Sequence, residues 1–171
     1  MHLNVEIKAR CQHPQRMRER LLALGADFRG DDHQIDTYFR VLNGRLKLRE
    51  GTIEHVLVFY DRPDQEGPKD SRVVLYHPEG PSLKEALMAA CGPLVVVDKI
   101  RSIYFMGNVK FHVDEVRDLG SFCEIEAIDA DGTRTREILL EQCTRYMKEC
   151  GISQDDLISC SYSDLLLQRK R

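Results

Sequence analysis

The sequence predicts an antiparallel α+β domain, and three observations carry that prediction. Segments that alternate apolar and polar residues with a period of two recur along the 171 residues. Short turn signals separate them, notably Asn43-Gly44, Gly107-Asn108 and Asp131-Gly132. Helical periodicity surfaces only at intervals, which leaves too few crossover helices for a doubly wound parallel sheet.

The first strand is Leu3 to Arg10, with Leu3, Val5, Ile7 and Ala9 on one face and Asn4, Glu6, Lys8 and Arg10 on the other. Pro14 opens a helix whose Met17, Leu21, Leu22 and Leu24 fall at helical spacing and which Gly25 closes. Asp27 to Phe39 reads as extended. Asn43-Gly44 then turns the chain into a returning strand, Arg45 to Glu50. Val56 to Tyr60 and Arg72 to Tyr76 are rich in β-branched and aromatic residues, with a loop over Pro63 to Asp70 between them. A short helix is expected from Pro81 to Cys91, stopped by Gly92-Pro93. Strands follow near Leu94 to Phe105, Val109 to Val116 and Gly120 to Ile128. Thr133 is expected to start a helix with Leu139, Leu140, Cys143 and Met147 as its apolar stripe. One or two short helices complete the chain, and Lys170 and Arg171 read as a solvated tail. No repeat or linker interrupts this order, so one domain over residues 1–171 is expected.

Composition narrows the function. Apolar residues make up 42% and charged residues 31%, enough for a sizeable core. With 25 Lys plus Arg against 28 Asp plus Glu, the net charge of -3 offers no global reason to bind nucleic acid. No apolar run nears the roughly 20 residues of a membrane span, and Asn4 and Glu6 follow Met1 too closely for a secretory leader. None of the six cysteines forms a C-x-x-C pair, so reduced thiols in the cytoplasm are the simple expectation.

The polar faces of the strands carry more. Lys47 and Arg49 share a face, as do Tyr60 and Arg62, Lys99 and Arg101, His112 and Asp114, and Glu124 and Glu126. Residues two apart on a strand lie roughly 6.5 to 7 Å apart. Paired carboxylates at that spacing can converge on a hard cation, and paired basic groups on neighbouring phosphates. Any one such face is ordinarily just solvated, and Glu6 with Lys8 alone would be a surface ion pair. Their recurrence leaves two readings open: solvated outer faces, or a polar tunnel lined by both signs of charge. A tunnel of that kind is costly unless pairing, water or a ligand neutralises it, and a polyphosphate carrying Mg²⁺ or Mn²⁺ would neutralise both sets together.

Taken in order, the motifs resemble the CYTH superfamily, the triphosphate tunnel metalloenzymes. The matching run is Glu6-Ile7-Lys8-Ala9-Arg10, Gln34 to Phe39, Gly44 to Glu50, Tyr60 to Asp64, Gly67-Pro68-Lys69, Lys99-Ile100-Arg101, His112-Val113-Asp114 and Leu119 to Glu126. Within that superfamily the likeness is greatest to class IV adenylyl cyclase-like proteins. The resemblance implies an eight-stranded antiparallel β-barrel, open as a tunnel, with helices packed outside. It implies a Mg²⁺- or Mn²⁺-dependent enzyme that converts ATP to cyclic AMP and pyrophosphate. The alternatives are an inorganic or organic triphosphatase of the same fold, or a non-enzymatic nucleotide or polyphosphate binder. ATP or another triphosphate is the implied partner, without nucleic acid or membrane, and a homodimer is an admissible assembly.

Residue by residue, Glu6, Asp114, Glu124 and Glu126 match metal-binding positions. Lys8, Arg10, Lys47, Arg49, Arg62, Lys99 and Arg101 match substrate-binding ones, with His112 as a hydrogen-bonding residue of the lumen. Glu6, Lys8, Arg62 and Asp114 are the catalytic candidates. The family's opening pattern is Glu-x-Glu-x-Lys, and here Asn4 stands at its first acidic position. An amide oxygen can ligate Mg²⁺ but brings no charge, which implies a weaker metal site. Some family phosphohydrolases use a lysine in the C-terminal helix, and Ser161 to Leu167 contains none.

Overall fold

The computed structural model describes residues 2–80 and 82–169. Pro81, Lys170 and Arg171 lie outside the described residues. The alternating segments form eight strands: β1 (His2–Arg10), β2 (Asp27–Phe39), β3 (Arg45–Gly51), β4 (His55–Asp61), β5 (Lys69–Tyr76), β6 (Pro93–Met106), β7 (Val109–Val116) and β8 (Gly120–Asp129). They close into an antiparallel barrel in the order β1-β5-β4-β3-β2-β6-β7-β8. Closure leaves no strand edge exposed, because β1 pairs with both β5 and β8.

Among the described residues four α-helices accompany the barrel: α1 (Pro14–Ala23), α2 (Ser82–Ala90), α3 (Arg136–Glu149) and α4 (Tyr162–Arg169). None of the described helices is long and apolar enough to cross a membrane. Two strand and helix limits differ from the sequence reading by more than one residue. β5 begins three residues early because Lys69, Asp70 and Ser71 pair with Glu6, Val5 and Asn4 across the barrel seam. α3 begins after Thr135, whose hydroxyl accepts from the Ile138 N–H, while Thr133 is held in a turn by Asp129 and Asp131.

The period-two pattern sorts side chains across the barrel wall. Val5, Ile7 and Ala9 point outward into a core completed by Phe111, Val113, Ile125, Leu139 and Cys143 beneath α1 and α3. Phe111 meets Tyr146 edge-on at 5.0 Å. The polar partners of these residues therefore have nowhere to go but the lumen. A second core lies inside, where Val95, Val97, Val116 and Phe122 pack against Tyr162 of α4. The last helix thus reaches into the barrel with its first residue.

Candidate active site

The inward faces enclose one cavity of about 500 Å³. Glu6, Lys8, Lys47, Arg49, Arg62, Lys99, Arg101, His112, Glu124 and Glu126 all line it, although they come from five different strands and the β4–β5 loop. Arg10 has the inward parity but sits at the end of β1; it is exposed, outside the cavity, with its guanidinium 5.5 Å from the Phe122 ring centre. Asp114 is fully buried, and its oxygens accept from Arg101 Nε at 2.7 Å, Arg101 Nη2 at 2.6 Å and the Tyr162 hydroxyl at 2.7 Å. Expected as a metal ligand, Asp114 instead has its carboxylate committed to holding Arg101 and Tyr162, and it does not line the cavity.

One wall is basic and built around Asp36. Its Oδ2 accepts from Lys47 Nζ at 2.9 Å, Lys99 Nζ at 2.7 Å and Arg49 Nη2 at 2.9 Å, while Oδ1 accepts from Arg49 Nε at 2.8 Å. Burial opposes ionisation of Asp36, yet Arg49, Lys47 and Lys99 outweigh it and hold the carboxyl well below its ordinary range. Three basic side chains thus share one anion. Burial, with Arg49, Arg101 and Lys47 nearby, brings Lys99 down to about 7 against the opposing pull of Asp36.

The facing wall is acidic. Register sets Glu6 opposite Glu126 and Lys8 opposite Glu124, with His112 on the other side of Glu124. Glu124 accepts from Lys8 at 2.9 Å, Arg101 at 2.7 Å and His112 Nδ1 at 3.1 Å. Burial alone would raise its pKa, but Lys8, Arg101 and His112 hold it well below the usual carboxylate value. Glu6 is ion-paired with Arg62. Glu126 has only His112 Nδ1, at 3.7 Å, and among the described residues no lysine or arginine reaches its carboxylate within 4 Å. Burial, then Arg101, lowers the His112 pKa from its ordinary value against the opposing pull of Glu126 and Glu124, which favours the neutral imidazole.

Two groups were missed by strand periodicity. Glu54 sits in the β3–β4 turn and pairs with Lys110 at 2.5 Å and Arg49 at 2.7 Å. Asp32 sets that turn by accepting the N–H groups of Ile53 at 2.8 Å and Glu54 at 3.0 Å. Gly51 is required beside it, since a Cβ there would stand 2.7 Å from the Asp32 oxygens. Lys110 shares the inward parity of His112 and could have been read from β7. Tyr162 is the second miss: it receives Lys8 Nζ 3.4 Å from its ring centre, which no strand pattern signals.

The donor set suits a divalent cation. One ligand atom from each of His112, Glu124 and Glu126 falls within 4.8 Å of the others, and Glu6 faces Glu126 across the seam between β1 and β8. Asn4, one inward position from Glu6, buries an Oδ1 that has no hydrogen-bond partner. The lumen can therefore take a cation on the acidic wall and an anion on the basic one.

Comparison with known proteins agrees with this geometry. A Methanocaldococcus jannaschii protein named "Putative adenylate cyclase" is 25% identical over 172 residues, spanning 95% of this chain and 98% of that one. A Pyrococcus horikoshii protein of known structure superposes with a TM-score of 0.79 at 22% identity, over 96% of this chain and 99% of that one. A Hippeastrum protein, described as a "putative adenylyl cyclase" with "a dominant" triphosphatase activity, superposes with a TM-score of 0.62 at 15% identity, over 99% and 96%. These structural likenesses speak to the barrel. The CYTH domain model matches residues 2–162, nearly the whole described chain, and so the protein belongs to the CYTH family.

Proposed function

We propose that this barrel is a divalent-metal-dependent enzyme acting on an organic triphosphate, with conversion of ATP to cyclic AMP and pyrophosphate as its reaction. The observation that carries the reading is the bipolar lumen: Lys47, Arg49 and Lys99 converge on one wall, and Glu124, Glu126 and His112 on another. A third part of the same cavity is apolar, formed by Val56, Val58, Val73, Leu75 and Ile128. That patch supports a substrate with an organic moiety over inorganic triphosphate, and the volume is in the ordinary range for a small-molecule site. All six cysteines are free thiols, in keeping with a reducing, cytoplasmic compartment.

In this reading Lys47, Arg49 and Lys99 release Asp36 in part and take phosphate oxygens in its place. Their charge stabilises the negative charge that builds on the leaving pyrophosphate. Glu6 orients Arg62 through their ion pair, which places a further guanidinium at the cavity wall. Glu6, Glu124 and Glu126 would hold Mg²⁺ or Mn²⁺, which when bound supplies Lewis-acid activation of the attacking hydroxyl. The apolar patch and buried walls exclude competing water and hold the reacting groups near attack geometry.

The test is incubation with a panel of triphosphates and Mg²⁺ or Mn²⁺, resolving cyclic nucleotide, pyrophosphate and orthophosphate. Cyclic AMP with pyrophosphate is the expected outcome. Orthophosphate release without cyclic nucleotide makes the protein a triphosphatase, and binding without turnover makes it a binder.

Two further outcomes follow from the lumen's charges. Lys99 is mostly neutral at pH 8 in the free protein, because its pKa is about 7. A bound anion raises that pKa, so triphosphate binding at pH 8 should take up a proton. Calorimetry in buffers of different ionisation enthalpy reads the uptake, and Lys99→Met should abolish it; equal uptake in the variant rejects the assignment. At Asn4, added charge should strengthen the cation site. Asn4→Asp or Asn4→Glu should lower the Mg²⁺ concentration for half-maximal activity and weaken metal-free triphosphate binding by repulsion. If neither quantity moves in either variant, Asn4 stands outside the site.

A further inference from the structure

We propose that the cation site is a mixed nitrogen–oxygen site in which His112 is a direct ligand beside Glu124 and Glu126, and that it selects Mn²⁺ or Co²⁺ over Mg²⁺. The proposal rests on the metal-dependent reading above and deepens it by naming the class of ion.

The geometry around the imidazole carries it. His112 is fully buried on β7 yet lines the cavity, and its Nδ1 lies 3.1 Å from Glu124 Oε2 and 3.7 Å from Glu126 Oε1. Both carboxylates thus turn toward one ring nitrogen. In Glu124 the oxygens already accept from Lys8 and Arg101, so His112 is not needed to balance its charge. In Glu126 the reverse holds: the imidazole is its one neighbour of that kind, and no described lysine or arginine pairs with it. A carboxylate with no fixed cation beside an inward imidazole is the arrangement that an exchangeable cation completes. The other ring nitrogen, Nε2, is buried with no hydrogen-bond partner, and it carries the proton when Nδ1 takes the cation. Asn4 Oδ1, on the same cavity wall, is likewise without a partner.

Ligand chemistry then fixes the choice of ion. Mg²⁺ is a hard cation that favours oxygen donors and sheds water reluctantly. Imidazole suits first-row transition ions, whose affinity for nitrogen donors exceeds that of Mg²⁺. A pair of carboxylates alone would accept either class. The nitrogen tips the balance.

The test is titration of metal-free protein with Mn²⁺, Co²⁺ and Mg²⁺ separately, without any triphosphate. Bound Mn²⁺ should show hyperfine coupling to a directly bound imidazole nitrogen in pulsed EPR, and His112→Asn should remove it. That variant retains an N–H able to reach Glu124, so the fold has a substitute for the lost hydrogen bond. Its Co²⁺ affinity should fall by about tenfold or more, with Mg²⁺ affinity nearly unchanged. Bound Mn²⁺ without nitrogen coupling in the wild-type protein overturns the proposal while leaving metal-dependent chemistry standing. Failure to bind any of the three ions, with tripolyphosphate present as well as absent, overturns both. The wild-type spectrum decides the matter even if the variant does not fold.

Discussion

Glu126→Ala should reduce metal-dependent turnover by about 100-fold or more while its thermal midpoint holds or rises. The expectation comes from how unequally the two carboxylates of β8 are paired. Glu126 faces Glu6 across the β1–β8 seam and has no lysine or arginine partner among the described residues, so removing it relieves repulsion in the metal-free barrel. Glu124→Ala should also lose turnover, but at a structural cost. It leaves Lys8 without its 2.9 Å partner and strips one acceptor from both Arg101 and His112. Removing one side of a buried ion pair destabilises by about 3 kcal/mol, which for a chain of this size lowers the midpoint by roughly 6 to 12 °C. Thermal scans beside turnover assays separate the two. Wild-type turnover in Glu126→Ala, or equal loss of stability in both variants, contradicts this division of roles.

The same contrast shows how far the sequence could be read. The barrel was legible because its rule is local: alternate residues face opposite ways, and the apolar half of β1, β7 and β8 is covered by helices outside. Once that half points outward, Glu6, Lys8, Lys47, Arg49, Lys99, Arg101 and Glu124 must meet inside. Parity alone, however, does not say where the wall ends. Arg10 obeys the alternation and still misses the lumen, because β1 has run out of barrel. Nor does parity say which charge neutralises which. Asp114 was expected to serve a metal, but Arg101 faces it directly across β6 and β7, and its bond from Tyr162 depends on where α4 inserts, a contact 48 residues away in sequence. Glu54 lay outside the rule altogether, since a turn organised by hydrogen bonds to Asp32 has no period to read.

Asp36→Asn should produce the largest exchange of stability for anion affinity in the molecule. Asp36 is 1% exposed, and its two oxygens accept four hydrogen bonds from Lys47, Arg49 and Lys99. In the proposed reading the carboxylate of the free barrel stands in for the phosphate that Lys47, Arg49 and Lys99 would otherwise grip. Replacing it with an amide keeps the shape and removes the charge, leaving Lys47 and Arg49 to repel each other in a buried setting and driving Lys99 further toward its neutral form. Loss of one partner from such a network costs about 3 to 5 kcal/mol, or a midpoint lower by roughly 6 to 20 °C. The same repulsion becomes attraction when an anion enters. Metal-free tripolyphosphate should then raise the midpoint of Asp36→Asn by more than it raises that of the wild type, because ligand bound to the native state stabilises in proportion to the logarithm of its affinity. An affinity gain of about tenfold corresponds to roughly 1.4 kcal/mol of additional stabilisation. Sodium chloride at matched ionic strength separates specific rescue from screening, which acts on exposed charges more than on buried ones. Equal tripolyphosphate shifts in variant and wild type would mean that Asp36 does not compete with phosphate, and that Lys47, Arg49 and Lys99 hold the barrel together without gripping a substrate.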